Sequence, residues 1–149
     1  MSMRTLSGLL VSSFVLGLTA CGAGGVNVRA DDGTLTECSS APHCVSSTSA
    51  DPDRQVAPLR YSGSAEAAQR ALAKIISNMN GGAVVENTPG YMRAEFTSPI
   101  FRYVDDVQFV FQQDRTIHVR SSSRIGYYDF GANRKRIEDM RKAFDALQP

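Results

Sequence analysis

With 149 residues, 21% of them charged and 42% apolar, the chain is long enough for one domain with a sizeable core. A formal charge of +1 and a pI near 7.7 exclude a polycation that binds nucleic acid through its overall charge. The charge is unevenly placed, however: from Arg115 to Lys142 eight Lys and Arg accompany three acids, whereas Asp31, Asp32, Asp51, Asp53, Asp105 and Asp106 come earlier.

Arg4 supplies a positive amino-terminal region, and Leu6 to Leu18 is an apolar run too short to span a bilayer comfortably. This reads as a targeting segment, and Leu18-Thr19-Ala20-Cys21 resembles the bacterial lipobox. The resemblance implies that residues 1–20 are a lipoprotein signal peptide cut before Cys21. The Cys21 sulfur would receive a diacylglyceryl group and its new amine an acyl chain. Several buried chains, at roughly 0.8 kcal/mol per methylene, make a lasting membrane anchor. An ordinary secretory signal with a coincidental cysteine is the alternative. Gly22 rather than aspartate follows. In Gram-negative bacteria that pattern implies the outer membrane of the cell envelope, with the domain facing the periplasm.

Export puts the remaining pair, Cys38 and Cys44, in an oxidising compartment and favours a disulfide across a small, turn-prone loop. Closing it would stabilise by about 2–2.5 kcal/mol in the chain-entropy model. The rival is a metal site using Cys38, Cys44, His43 and His118, a spacing that matches no common zinc pattern. No metal and no cofactor are therefore expected.

Residues 21–36 are rich in Gly, Asp and Thr and predict a flexible tether, with a single domain over residues 37–149. From Glu37 to Arg60, serines with Pro42, Pro52 and Pro58 predict extended, irregular chain rather than regular elements. Ser64 is a candidate N-cap with Glu66 in the first turn. Ala65, Ala68, Leu72, Ile75, Ile76 and Met79 recur at helical steps until Asn80-Gly81-Gly82 ends the helix. Four strands follow at Ala83–Asn87, Tyr91–Thr97, Val104–Gln112 and Thr116–Ser121, separated by turn residues such as Thr88-Pro89-Gly90 and Ser98-Pro99. A second helix is predicted over Ala132–Leu147, with Ile137, Met140, Phe144 and Leu147 as its apolar stripe. Short connections favour antiparallel pairing. The expected fold is α+β: a four-stranded antiparallel sheet with two helices packed on one face, in the order αββββα.

The motifs Cys44-Val45-Ser46-Ser47, Phe101-Arg102-Tyr103-Val104-Asp105-Asp106-Val107 and Val119-Arg120-Ser121-Ser122-Ser123-Arg124-Ile125-Gly126 occur in that order. Asp129-Phe130-Gly131 and Asn133-Arg134 follow. Together, from Cys38 to Leu147, the chain resembles the domain-of-unknown-function 1499 family of bacteria and plastids. The resemblance implies an exported or membrane-linked domain and assigns no activity.

The stretch from Arg120 to Ile137 concentrates the chemistry. Arg120 and Ser122 lie on the strand face opposite Val119, and Arg134, Lys135 and Arg136 open the second helix. Cations there oppose the helix dipole by about 0.3–1 kcal/mol each, so something must neutralise them. Asp105, Asp106 and Asp129 are the internal candidates. The alternative is an external anion held by Arg120, Ser121, Ser123, Arg124, Tyr127, Asn133, Arg134 and Arg136, with helix-start N–H groups. The internal network is the first expectation and an anionic ligand the second. An enzyme is disfavoured, because no Gly-x-Ser-x-Gly elbow or phosphate-cradling loop is present, and adjacent Asp105 and Asp106 point to opposite strand faces. A hydrolase-like enzyme using the Asp/Arg/Ser cluster remains the alternative to a non-enzymatic binding or structural module. The expected partners are a membrane through Cys21, and an anionic ligand or acidic protein rather than nucleic acid.

Overall fold

The computed structural model of the protein describes residues 33–148. The expected signal peptide, Cys21 and most of the expected tether lie outside the described residues. In chain order the elements are β1 (Cys44–Ser46), β2 (Leu59–Arg60), α1 (Ala65–Asn78), β3 (Gly82–Thr88), β4 (Tyr91–Thr97), β5 (Val104–Phe111), β6 (Thr116–Ser123) and α2 (Ala132–Asp145). The strands form one sheet in the order β1-β6-β5-β4-β3, with β2 also pairing β6, and every named pairing is antiparallel. The fold is α+β, but the sheet has six strands rather than the expected four, and the order is ββαββββα.

Both extra strands come from the stretch expected to be irregular. Cys44–Ser46 pairs with Ser122–Arg120, and Leu59–Arg60 pairs with Ile117–Thr116, so both lie end to end along one edge of β6. Between them Ser47 keeps the line of bonds going. Its N–H donates to the Val119 carbonyl at 2.8 Å, and its hydroxyl accepts from Val119 N–H at 2.9 Å. An open sheet edge offers backbone donors and acceptors to any short segment that can lie beside it. Two or three residues suffice, far fewer than a readable alternation needs.

The remaining boundaries agree with the sequence to within a few residues. Ser64 caps α1 by accepting from Ala67 N–H at 3.2 Å. Gly81, at φ +75°, turns the chain back so tightly that a Cβ there would lie 2.3 Å from the Thr97 carbonyl oxygen. Only glycine fits. Gln69 was not recognised as a core position, yet it is buried and donates to Asn87 Oδ1 and to the Thr88 and Tyr91 carbonyls, tying α1 to the β3–β4 turn. At the other end Leu147 leaves the apolar stripe: α2 stops at Asp145, and Leu147 is 59% exposed.

Both helices pack on one sheet face. Leu72, Ile76, Ile137, Met140 and Phe144 meet Met92, Phe96, Val107, Phe109 and Val119 in a continuous core. Each such side chain contributes roughly 1.5–3 kcal/mol by leaving water. On the opposite face Leu35, placed by the sequence in the tether, is buried against Tyr91 and Val110. Among the described residues no helix is long and apolar enough to cross a membrane. Cys38 and Cys44 form a disulfide with their Cα atoms 5.6 Å apart, so neither thiol is available to a metal.

Candidate functional site

Strands β5 and β6 carry polar side chains on both faces, because their alternation sends neighbouring residues in opposite directions. Asp105 pairs in register with Ser123, and Asp106 with Ser122. On the helix side, Ser121 donates to Asn133 Oδ1. Asn133 is fully buried at the start of α2, and its Nδ2 donates to the His43 carbonyl at 3.0 Å, to Ser123 Oγ at 3.2 Å and to Asp129 Oδ2 at 2.8 Å. Arg136 reaches back to Asn133 Oδ1 at 2.7 Å and to Asp105 Oδ2 at 2.6 Å, with its guanidinium 4.7 Å above the Phe96 ring. Every polar group of this inner network has a partner.

The same network resolves the unfavourable helix start. Gly131 occupies the N-cap position and has no side chain to cap with. Asp129 does the work from two residues upstream, accepting from Gly131 N–H at 3.0 Å and Asn133 N–H at 2.9 Å. Burial pushes the Asp129 carboxyl up, but these hydrogen bonds outweigh it and hold the group below the usual aspartate range. Its negative charge at the helix N-terminus opposes the nearby cations. Arg134 is satisfied by the Gln55 and Asp53 carbonyls at 2.8 and 2.7 Å, and Lys135 pairs with Asp139 one turn on.

On the outer face Asp106 is the centre. It is 3% exposed and accepts from Arg124 Nε at 2.7 Å, Arg124 Nη2 at 2.8 Å and Arg93 Nη1 at 3.1 Å. Glu95 joins both arginines. The hydrogen bonds to Asp106 hold the Arg124 guanidinium above its ordinary pKa.

Arg120 stands apart. It is 6% exposed, on the outer face beside Gln108, yet among the described residues no hydrogen bond or ion pair holds its guanidinium, and its Nε is buried without a partner. Burial lowers its pKa, with the Asp106 charge opposing part of that shift. A cavity of about 180 Å³ opens beside it, lined by Ser39, His43, Asp106, Ser122, Ser123 and Arg124 as well as Arg120 itself. An unsatisfied buried group of this kind costs about 1–3 kcal/mol, and more when charged.

Of the residues singled out in the sequence, Arg120, Ser123, Arg124 and Asp106 gather at this cavity. Ser121, Asp105, Asn133, Asp129 and Arg136 sit in the inner network, Arg134 binds a neighbouring loop, and Tyr127 is exposed. The sequence missed Ser39, Arg93 and Glu95, and offered His43 only as a metal ligand. His43 and Ser39 lie inside the disulfide loop, which is what could have pointed to them. Arg93 and Glu95 alternate with the core residues of β4 and so declare the outer face. His43 Nδ1 lies 3.5 Å from Ser122 Oγ, and among the described residues no carboxylate bonds to its ring.

A family model described as a protein of unknown function (DUF1499) matches residues 34–144. No curated protein and no solved structure gives a match.

Proposed function

The chain belongs to the DUF1499 family of unknown function, and from its own geometry we propose that it is a binding module whose cavity at Arg120 takes a small anionic group. The observation that carries this reading is a buried guanidinium, its Nε without an acceptor among the described residues, beside an open, hydroxyl-lined space. A carboxylate or phosphate oxygen there would complete the arginine and gain charge-assisted hydrogen bonds from it. Asp106 does not repel such a group strongly, because both its oxygens are already held by arginines. The lipobox-like Leu18-Thr19-Ala20-Cys21 supports the further reading that the module is lipid-anchored in a bacterial envelope, at the outer membrane.

The test of the site is calorimetry and thermal shift of the full chain against acetate, a dicarboxylate, inorganic phosphate and sugar phosphates. At least one should stabilise the protein saturably, by about 2.7 kcal/mol at a hundredfold excess over Kd. Arg120→Gln should abolish that response, and an equal response in the variant would sink the proposal. For the anchor, Cys21→Ser should release the protein from the membrane fraction. A hydrolase-like enzyme is the second reading, favoured by Ser122 and His43 sharing the cavity wall. A hydrolase screen in which activity is present in the wild type and lost in Ser122→Ala would choose it over binding alone.

A further inference from the structure

The stretch that looks basic in sequence presents apolar side chains to solvent. Ile100, Phe101 and Tyr103 are exposed in the loop between β4 and β5, Phe101 by 71%. Ile125, Tyr127, Tyr128 and Phe130 are exposed in the loop between β6 and α2, Phe130 by 90%. The two loops are neighbours at one end of the sheet, joined by the bond from Arg124 N–H to the Val104 carbonyl at 3.0 Å. Scattered exposed apolar residues need no explanation, but a cluster on adjacent loops does.

The loops are built to hold these side chains out. Ser98 N–H donates to the Tyr103 carbonyl at 2.8 Å, and Tyr103 N–H donates to Ser98 Oγ at 2.9 Å, closing the first loop. Phe101 stacks on Tyr103 with centroids 5.5 Å apart, and Tyr128 meets Phe130 edge-on at 5.1 Å. Arg102 and Phe130 both adopt left-handed backbone, at φ 56° and 54°, which is unfavourable for side chains of their size. Phe130 accepts that strain and still buries almost nothing within the chain.

We propose that these two loops are a membrane-docking surface, inserting their aromatic and isoleucine side chains into the interfacial region of a lipid bilayer. Flat amphipathic rings favour that zone, where one edge meets lipid and the other meets water. The charges agree. Arg102 is exposed between the apolar residues, and the one acid in either loop, Asp129, turns its carboxylate inward to the helix start. Nothing there repels anionic headgroups. The chain length agrees as well. Leu35 packs by Tyr91 and Val110, at the end of the sheet away from these loops. The twelve residue steps from Cys21 to Gly33 can reach at most about 40 Å, whereas β4, at seven residues, is about 24 Å long. A lipid on Cys21 can therefore enter the same membrane plane as the loops. The docking surface itself does not depend on the anion at Arg120 or on acylation.

The chain contains no tryptophan, so a single introduced one reports without background. Phe101→Trp, Phe130→Trp and Leu147→Trp would each be made in the full chain and mixed with vesicles of phosphatidylethanolamine and phosphatidylglycerol, with and without brominated acyl chains. Leu147 follows the far end of α2 and is the control. At positions 101 and 130 the emission is expected to move to the blue and be quenched at least about twofold more than at 147, in low and high salt alike. Adding Ile100→Ser and Phe101→Ser to the Phe130→Trp chain should reduce that quenching about twofold or more. Absence of the shift, equal quenching at all three positions, loss of the signal in high salt, or no effect of the serines would each overturn the proposal. Because the comparison is between positions, it holds whatever brings the chain to the vesicle, and a negative result leaves the Arg120 site untouched.

Discussion

The two faces of β5 and β6 solve the same problem differently. Each face carries arginine, aspartate and serine within a few residues of the other. On the helix side the cluster is closed: Asp105, Arg136, Asn133, Ser121 and Asp129 satisfy one another. On the outer side Asp106 satisfies Arg93 and Arg124, and Arg120 and the Gln108 side-chain oxygen are left over. A closed polar network fixes one geometry and specifies how α2 docks. An incomplete one costs stability, and a fold keeps such a group where something else completes it. On the proposed function, the difference separates a structural cluster from one that awaits a ligand, although their residue types are the same.

That contrast can be broken at several points. Asp106→Ala should have the largest effect, because it removes the most buried carboxylate and leaves Arg93 and Arg124 with only glutamate partners beside a third, buried arginine. Urea denaturation should show a loss of about 3–4 kcal/mol, and a loss below about 1 kcal/mol would mean that the outer pairs are solvated. Asn133→Ala should cost about 2–3 kcal/mol by leaving Ser121, Arg136 and the His43 carbonyl short of partners. Arg120→Met should move the other way and stabilise the protein by about 1–2 kcal/mol while ending its response to anions. A matching loss of stability would place Arg120 with the structural residues.

Asp129→Ala should cost least, about 1 kcal/mol at neutral pH, as loss of a helix cap. The sign of its pH dependence follows from its lowered pKa in the folded protein. The stabilisation is present above the unfolded aspartate pKa, near 3.9, and fades as pH falls through the lower folded value. Acid melts of wild type and Asp129→Ala should therefore converge at low pH and separate as the carboxyl ionises.

Much of this was legible in the residues, and the rest was hidden for identifiable reasons. Helix α1 was readable from its N-cap and a seam of apolar residues, although it ends at Asn78 with Met79 as its C-cap, ahead of the glycines. Strand β4 was readable from strict alternation. Asp105 and Asp106 could be assigned to opposite faces by strand parity alone. Strands β1 and β2 were not readable, because they exist through the free edge of β6 rather than through their own pattern. The burial of Arg120 was hidden similarly. A solvent-facing position on a strand predicts an exposed arginine, whereas residues preceding β1 lie across that face, Leu35 on Val110 and Ser39 and His43 around the cavity. The role of Asp129 was half visible: an acid just before Gly131 and Asn133 is turn chemistry that can equally cap or pair. Of the apolar residues in the loops only Tyr127 stood out, because the neighbouring arginines make the stretch look basic.

The clasp between Cys38 and Cys44 has a consequence for when the proposed site is complete. It encloses Ser39 and His43, which form one wall of the Arg120 cavity. That wall is fastened by a covalent step separate from packing of the core, which lies on the other side of the sheet. A freshly made chain in a reducing space could assemble its helices and strands while the wall stayed unfastened. The proposed Arg120 site would then be completed last, upon oxidation, as a final stage of maturation.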